Sequence, residues 1–428
     1  MLFKGEKRRN IEKTDKEHLW HPLTQHQIAL PPLPIKKAKG VYLWDSNGNK
    51  YIDGIASWYT AMYGHCHQKL TKAISKQAKK LDQVVFTGFT HQAATDLADK
   101  LIGILPQNQK RLFFSDNGST SVEVAIKMAL QYHFNKGVKK ETLIAFEDGF
   151  HGDTFGAMSV SGLSVYNGPF EKFFIRVERI PVPHKDNIEQ VMSKLQHLSE
   201  TQDIAAFVYE PLIQGAAGMK MYDAVHLDRV LAFCQGNAIL CIADEVMTGF
   251  GKTGTHFASE QLSNKPDFIC LSKALSAGML PLALTSCTED IYSAFLSNEL
   301  AKGFFHGHTY SANPLACAVA SAAIDLLNSK SIQNGIRRIE KQHLQFVDEL
   351  NANHKVSNAR CKGVILAFEL NKEMSRYGNK RNELYQFFMR QGVYLRPLGN
   401  TIYISAPYTC TTRQMNKIYD AVRAAIEL

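Results

Sequence analysis

The chain has 428 residues, 45% of them hydrophobic and 21% charged, which excludes a disordered protein and predicts a sizeable buried core. Its net charge of +9 raises nucleic-acid binding as a possibility, but the basic residues are scattered and form no recognised nucleic-acid motif. An enzyme that handles small anions fits this charge better. No apolar run reaches the roughly 18–20 residues that a membrane-spanning helix needs.

The N-terminal residues 1–18 mix basic with acidic side chains, unlike a signal or transit peptide, and predict a solvated, frayed lead-in. The eight cysteines form no Cys-x-x-Cys pair, and several lie in apolar stretches where a reduced thiol acts as a small hydrophobic group. A reduced, cytoplasmic protein is therefore expected. His65, Cys66 and His67 adjoin in "GHCHQ", but without a second cluster they are interpreted as structural residues, and no metal is expected.

The predicted elements begin with a hairpin in "GVYLWDSNGNKYIDG", with Asn47-Gly48 at its turn. Short apolar runs then alternate with helical segments, a pattern typical of a mostly parallel sheet with right-handed crossovers. The predicted strands are "RLFFS", "TLIAFED", "AAFVYEP", "AILCIADE", "DFICLSK" and "PLALTSC". After about residue 320, one long or kinked helix precedes the strands "KGVILAFEL", "GVYLRPL" and "TIYISAP" of a smaller α+β unit.

The stretch "ADEVMTGFGKTG", residues 243–254, ends like a nucleotide phosphate loop. Such a loop would begin with a glycine at the position that is Val246 here. The loop should also follow a strand directly, whereas Asp244 and Glu245 occupy the strand end. The sequence therefore argues against ATP binding.

Two strand ends and one helix start carry residues suited to chemistry. Asp244 and Lys273 each end a predicted strand, and open α/β sheets bind ligands beyond the carboxyl ends of their strands. A desolvated lysine has a lowered pKa and can attack an aldehyde. Gly118, Ser119 and Thr120 begin a helix, where backbone N–H groups favour an anion. Together these features match the needs of pyridoxal phosphate, although each alone could be a surface lysine or a helix cap.

At these residues the sequence resembles the class III, fold-type I pyridoxal-phosphate aminotransferases, over nearly the whole chain. The stretches "ADEVMTGFGKTG" and "PDFICLSKALSAG" carry this resemblance. It implies an α/β fold with a mostly parallel seven-stranded sheet between helices, and a smaller α+β domain built from both chain ends. The expected boundaries are 1–60 for an N-terminal segment of the small domain, 61–328 for the large cofactor-binding domain and 329–428 for the C-terminal small domain.

Further stretches, among them "HLWHPLTQ", "GIASWYTAMYGHCH" and "YLRPLGNTIYISAPY", resemble the branch of that class that converts 8-amino-7-oxononanoate to 7,8-diaminononanoate in biotin synthesis. The resemblance implies ping-pong transamination by a homodimer with shared active sites. S-adenosylmethionine is the expected amino donor, and lysine is the alternative. Two other hypotheses stay open: a class III ω-aminotransferase acting on another terminal amine, and a non-catalytic basic protein that binds nucleic acid or holds the cofactor only as a structural ligand.

The same resemblance assigns roles to individual residues. Lys273 would carry the cofactor and Asp244 would pair with its ring nitrogen, while Arg396 would bind the substrate carboxylate through two parallel hydrogen bonds. The expected cofactor-binding residues are Gly118, Ser119, Phe150, His151, Asp244, Val246, Lys273, His308 and, from the second subunit, Thr309. The expected substrate-binding residues are Trp58, Tyr59, Phe150, Asp153, Gly307, Arg396 and Tyr403, with the N-terminal segment near Trp20.

Four positions depart from the usual pattern of this class. Leu23 and Phe150 stand where better-known members have tyrosines, His308 replaces a proline, and Lys252 replaces an arginine. These changes bear on the choice of amino donor more than on the reaction itself.

Overall fold

The computed structural model describes residues 11–164, 167–376 and 378–428. Its strands are β1 (Ile35–Lys39), β2 (Tyr42–Asp45), β3 (Lys50–Asp53), β4 (Gln109–Ser115), β5 (Thr142–Phe146), β6 (Val177–Ile180), β7 (Ile204–Tyr209), β8 (Ile213–Gln214), β9 (Lys220–Met221), β10 (Leu240–Asp244), β11 (Phe268–Leu271), β12 (Ala283–Thr288), β13 (Val356–Lys362), β14 (Ile365–Leu370), β15 (Val393–Tyr394) and β16 (Thr401–Ile404).

The helices are α1 (residues 11–18), the single turn α2 (Ala56–Tyr59), α3 (Gln68–Ala78), α4 (Gln92–Ile102), α5 (Gly118–Asn135), α6 (Phe155–Ser159), α7 (Ile188–Thr201), α8 (Ala224–Gly236), α9 (Glu289–Ser293), α10 (Pro314–Leu327), α11 (Lys330–Asn351), α12 (Asn379–Arg390) and α13 (Thr412–Ile426). Short 3₁₀ turns add to these, including one at Lys273–Ser276.

A seven-stranded sheet forms the centre of the molecule, in the order β4-β12-β11-β10-β7-β5-β6. Every residue of β5, β7, β10 and β11 is buried, as expected for strands covered by helices on both faces. Strand β12 runs antiparallel to both neighbours. The chain between β11 and β12 is too short for a crossover helix, which requires a dozen or more residues. The predicted fold class is confirmed.

Two smaller sheets hold the ends of the chain. The first has the order β1-β2-β3-β15, and β15 joins β3 in parallel, so that a C-terminal strand completes an N-terminal sheet. The second has the order β13-β14-β16. The predicted β2–β3 hairpin is confirmed: Gly48 has a φ of +89°, and the Asp45 carboxylate accepts the Asn47 and Asn49 N–H groups inside the turn.

Several expectations about elements need correction. Residues 11–18 form a helix, not a frayed lead-in, while residues 1–10 lie outside the described residues. The long or kinked helix predicted after residue 320 is not one helix: two helices, α10 and α11, meet there at a bend of 65°, in agreement with the kinked alternative. Among the described residues, no single helix is long and apolar enough to cross a membrane. Strands β1, β6 and β13 escaped prediction because they are partly exposed edge strands and therefore lack apolar runs.

Candidate active site

The N-terminus of α5 lies at the edge where β4 ends. Asn117 caps this helix, because its Oδ1 accepts the Thr120 N–H at 3.0 Å while its own N–H donates to Thr120 Oγ1 at 3.2 Å. The N–H groups of Gly118 and Ser119 belong to the first turn, which has no intrahelical acceptors. Their position suits a phosphate group.

The loop that carries Phe150 and His151 packs against this helix start. Ser119 Oγ accepts the Asp153 N–H at 3.2 Å. A Cβ atom on Gly152, whose φ is +130°, would lie 2.0 Å from Ser119 Oγ, so only glycine allows the approach. The structure thus brings Ser119 and the 150–153 loop together, as the site prediction requires.

Asp244 ends β10 and is buried. Its Oδ1 accepts the Val246 N–H at 3.1 Å, and its Oδ2 lies 2.8 Å from His151 Nδ1. Burial, the largest influence, lowers the pKa of His151, but the hydrogen bond and charge of Asp244 and the charge of Glu210 outweigh it and raise this pKa overall. The imidazole therefore stabilises a negative charge on Asp244.

Glu245, next in the chain, has a different task. Its carboxylate accepts hydrogen bonds from Thr248 Oγ1 at 2.7 Å and from the backbone N–H groups of Ala258 and Ser259 at 3.0 and 2.7 Å. These bonds fix the segment that follows β10. The lysine of the phosphate-loop-like stretch, Lys252, is also buried, and its Nζ donates to the Gly249 carbonyl at 2.7 Å.

Lys273 lies just beyond β11, the parallel neighbour of β10, and Asp244 is in register with Cys270. The φ of Lys273, +48°, is in the left-handed region, which strains a non-glycine residue. Burial lowers the pKa of the Lys273 amine, and the charges of Asp244 and Glu210 offset only part of this effect. The amine therefore loses its proton more readily than an exposed lysine does.

Sequence reasoning missed Glu210, which follows β7 as Asp244 follows β10. Burial, helped by the charge of Asp244, raises its pKa to about 7 against the lowering effects of His151 and two backbone N–H groups. These N–H groups belong to Phe150 and Gly215, at 3.0 and 2.9 Å from the carboxylate oxygens. The signal in the sequence was its position at the carboxyl end of an apolar strand.

Val246 and Phe150 are both tied to this carboxylate cluster through their backbones, Val246 by Asp244 and Phe150 by Glu210. A Cβ atom on Gly118 would lie 2.8 Å from Val246 Cγ1, so Val246 reaches the start of α5 only because residue 118 is glycine. The Phe150 ring remains partly exposed and available for stacking.

An aromatic cluster joins Lys273 to Arg396. Lys273 Nζ lies 5.5 Å from the centre of the Tyr59 ring, and that ring lies 5.9 Å from the ring of Tyr403. The neighbouring Trp58, 45% exposed, has its ring 5.6 Å from the Arg396 guanidinium carbon. The predicted substrate-binding residues Trp58, Tyr59, Tyr403 and Arg396 therefore lie together.

Other predicted site residues are not brought to this cluster within one chain. His308 Nε2 lies 3.9 Å from Asp116 Oδ1, near the start of α5, whereas the carbonyl of Thr309 accepts Gln83 Nε2 at 2.7 Å. A Cβ atom on Gly307 would meet only Ser311 Oγ, at 3.9 Å, and Asp153 meets the site through its backbone. Their roles, like the other assignments of contact to a ligand, stay predictions. Trp20 and Leu23 are exposed.

The residues present fit pyridoxal phosphate. A desolvated amine, a buried carboxylate supported by a histidine, and a glycine-serine helix start are gathered at neighbouring strand ends of one sheet. The His151 Nε2 atom is buried without a hydrogen-bond partner among the described residues, which indicates a polar group beside it in the complete site. Fold and site together define a pyridoxal-phosphate-dependent enzyme of fold type I.

Comparisons with known proteins agree with this class. The family model described as "Aminotransferase class-III" matches residues 24–426. The chain is 42% identical to the adenosylmethionine-8-amino-7-oxononanoate aminotransferase of Synechococcus elongatus over 415 residues, 95% of this chain and 97% of the relative. The protein therefore belongs to the class III aminotransferases and is a pyridoxal-phosphate-dependent transaminase.

Solved structures show the same fold. The enzyme of that name from Methanocaldococcus jannaschii superposes with a TM-score of 0.93 at 33% identity, covering 98% of this chain and 99% of that one. An amine transaminase from an uncultivated Pseudomonas species, solved in its PLP-bound form, superposes with a TM-score of 0.89 at 28% identity, covering 96% and 98%.

Proposed function

We propose that this aminotransferase converts 8-amino-7-oxononanoate to 7,8-diaminononanoate in biotin synthesis, with S-adenosylmethionine as amino donor. The arrangement of Arg396 beside Trp58, on the far side of the aromatic cluster from Lys273, carries the proposal. It offers a guanidinium to a carboxylate and an aromatic surface to the aliphatic chain that precedes it. The names of the similar proteins from Synechococcus elongatus and Methanocaldococcus jannaschii support this substrate.

Pyridoxal phosphate, when bound, supplies the carbonyl that exchanges the amino group and a ring that accepts electrons. Lys273 Nζ, whose pKa is lowered by burial, can take a proton from the substrate carbon and pass it to the cofactor. Asp244, whose Oδ2 is oriented by His151 Nδ1, would provide the negative charge that keeps the ring nitrogen of the cofactor protonated. Gly118 and Ser119 offer their N–H groups to the phosphate.

The homodimer with shared sites belongs to this proposal. Large apolar side chains near Thr309 are exposed in the single chain, with Leu300 at 80%, Phe305 at 70% and Tyr310 at 64%. Exposed large apolar side chains this close together in the sequence favour association with a second copy, which would bring Thr309 to the other subunit's phosphate site. A cytoplasmic location is proposed as well, since all eight cysteines are free and six are buried.

Single-turnover spectroscopy tests the choice of donor. We expect S-adenosylmethionine to convert the pyridoxal form of the enzyme to the pyridoxamine form. Addition of 8-amino-7-oxononanoate should then restore the pyridoxal form. Conversion by lysine alone would overturn the donor assignment. The likeness to an amine transaminase supports a second candidate, an ω-aminotransferase for another terminal amine. Faster turnover of ornithine or γ-aminobutyrate than of either donor would favour that candidate.

Replacement of Lys273 tests the chemical assignment. Lys273→Ala removes the only residue proposed to link covalently to the cofactor, so we expect loss of the cofactor's absorbance near the visible edge and a fall in turnover of at least about a thousandfold. Lys341→Ala, on the exposed face of α11, is the matched control. An unchanged spectrum in Lys273→Ala would remove the central assignment.

A further inference from the structure

The turn α2 has an unusual backbone. Ala56, Ser57, Trp58 and Tyr59 have φ values of +47°, +46°, +65° and +70°, so four consecutive non-glycine residues adopt the left-handed conformation. Each of these residues is less stable there than in a right-handed turn. Trp58 lies against Arg396 and Tyr59 against Lys273, so surrounding contacts must hold this turn in place.

Asp53 supplies those contacts. Its fully buried carboxylate accepts the Ser57 hydroxyl at 2.9 Å on Oδ2 and the Ile55 N–H at 3.3 Å on Oδ1. His65 Nε2 lies 2.8 Å from the same Oδ2. A buried carboxylate is stable only when it is paired in this way. The "GHCH" histidine is thus a support for Asp53, and its own backbone is fixed by hydrogen bonds in both directions with Gly40.

Asp53 also ends β3, the strand that pairs with β15, and β15 leads to Arg396. It is in register with Tyr394 in the parallel β3–β15 pair, and the Gly54 N–H donates to the Tyr394 carbonyl at 3.0 Å. A Cβ atom on Gly54 would lie 2.6 Å from Leu395 Cδ2, so the two segments are in close contact. Residue 53 therefore contacts the turn with Trp58 through its carboxylate, and its backbone pairs with the strand that leads to Arg396.

We propose that Asp53, oriented by His65, is a positioning residue that locks the strained Ala56–Tyr59 turn onto β15 and thereby sets the affinity for the acceptor substrate, the amino-oxo fatty acid. This inference rests on the substrate roles proposed above for Trp58 and Arg396. Asp53 touches neither substrate nor cofactor in this account. Its loss should weaken binding of the acceptor substrate more than it slows the reaction with the amino donor.

The test compares Asp53→Asn with a matched control, Asp45→Asn. Asparagine keeps the size of the side chain but replaces one acceptor oxygen with a donor, so residue 53 can no longer keep the Ile55 N–H on one oxygen and both Ser57 and His65 on the other. Asp45 is a buried carboxylate of the same sheet that accepts the Asn47 and Asn49 N–H groups and the Tyr51 hydroxyl, without any contact to Trp58 or Arg396. Both variants are assayed as holoenzymes.

For Asp53→Asn we expect the KM for 8-amino-7-oxononanoate to rise about tenfold, with a similar rise in its equilibrium Kd for the pyridoxal form, and a donor half-reaction within about twofold of wild type. Asp45→Asn should lower Tm without changing this KM. An unchanged KM and Kd in Asp53→Asn, or an equal loss in both half-reactions, would overturn the inference.

Three further variants keep the outcome decisive. Should Asp53→Asn fail to fold, Ser57→Ala and His65→Gln remove one partner each and should raise the same KM by about threefold; no rise in either would overturn the inference. Arg396→Gln distinguishes failure of this inference from failure of the proposed substrate role. If Arg396→Gln raises the KM and Asp53→Asn does not, only this inference fails, whereas no rise with Arg396→Gln contradicts the proposed substrate role and this inference together.

Discussion

Adjacent residues of the same type have different work in this site. Asp244 ends β10 and Glu245 follows it directly, yet Asp244 contacts His151 while Glu245 binds three groups of the following segment. The alternating direction of side chains along a strand explains the division, because consecutive residues point to opposite faces. One carboxylate thereby faces the proposed cofactor site and the other stabilises the loop.

Lys252 is the residue whose protonation should affect stability most clearly. Burial, together with the charge of Lys273, lowers its pKa to about 7 despite the charge of Glu245. The unfolded chain binds a proton on this amine below the ordinary value of 10.5, whereas the folded protein binds it only below about 7. Folding stability is therefore lost as the pH falls from 10.5 towards 7.

Lys252→Met should remove that loss. We expect the variant to have a Tm roughly 2–4 °C above wild type at pH 7, because the methionine carries no proton-binding group into the core. The difference should shrink at pH 10, where the folded-state amine is neutral and the unfolded-state amine, with its pKa of 10.5, has begun to lose its proton. Differential scanning calorimetry at the two pH values measures it, with the exposed Lys341→Met as control. A difference that does not depend on pH would show that packing alone decides.

At the scale of elements, the start of α5 is held against β11 and β12. The capping box of Asn117 and Thr120 fixes the first turn of the helix, and Thr285 Oγ1 and Cys270 Sγ both donate to the Ser121 carbonyl from the neighbouring strands. The helix start is therefore anchored to β11 and β12, the strands on either side of Lys273. This anchoring keeps the proposed phosphate site at a fixed distance from the lysine.

Gly118→Ala tests how closely the start of α5 and Val246, in the segment after β10, must approach each other. The added Cβ atom would lie 2.8 Å from Val246 Cγ1, so either Val246 or the helix start has to move. We expect pyridoxal phosphate to bind about tenfold more weakly, measured by reconstitution of the apoenzyme. Gly236→Ala, in a helix with no atom within 4 Å of the new Cβ, is the control and should bind the cofactor normally. Equal affinity in both variants would contradict the close-approach argument.

At the scale of the whole molecule, the single chain leaves the predicted site incomplete. Thr309 binds Gln83 through its carbonyl and lies among exposed apolar side chains. Contribution of Thr309 to a second subunit's site is therefore a property that only mixed dimers can reveal.

We expect mixing of Lys273→Ala with Thr309→Asp subunits to restore activity. In a hybrid dimer, contribution across the interface places both lesions in one site and leaves the other intact, so about half of the wild-type activity per hybrid should return. Each parent alone should be nearly inactive, because one lacks the amine and the other repels the phosphate. Hybrids as inactive as both parents would show that Thr309 serves its own subunit, and a monomer by sedimentation would contradict the shared site itself.

The sequence alone determined the buried part of this protein. Continuous apolar runs predicted β5, β7, β10 and β11, because strands covered on both faces must be apolar throughout. The strand-end positions of Asp244 and Lys273 followed from those runs, and the Asn-Gly pair fixed the β2–β3 hairpin. The specific residue roles came from the resemblance to a known class, and the family is confirmed while the individual roles stay predictions.

Only the tertiary structure decided what depends on pairing between distant segments. The joining of β15 to β3 and the edge positions of β1, β6 and β13 follow from which strands become neighbours, and local patterns carry no such information. The same holds for single residues: Glu210 meets Phe150 and Asp53 meets His65 because the chain folds back, and their burial then gives these carboxylates their importance. Local composition sets which segments are buried, whereas the partners of a buried charge are set by the assembled sheet.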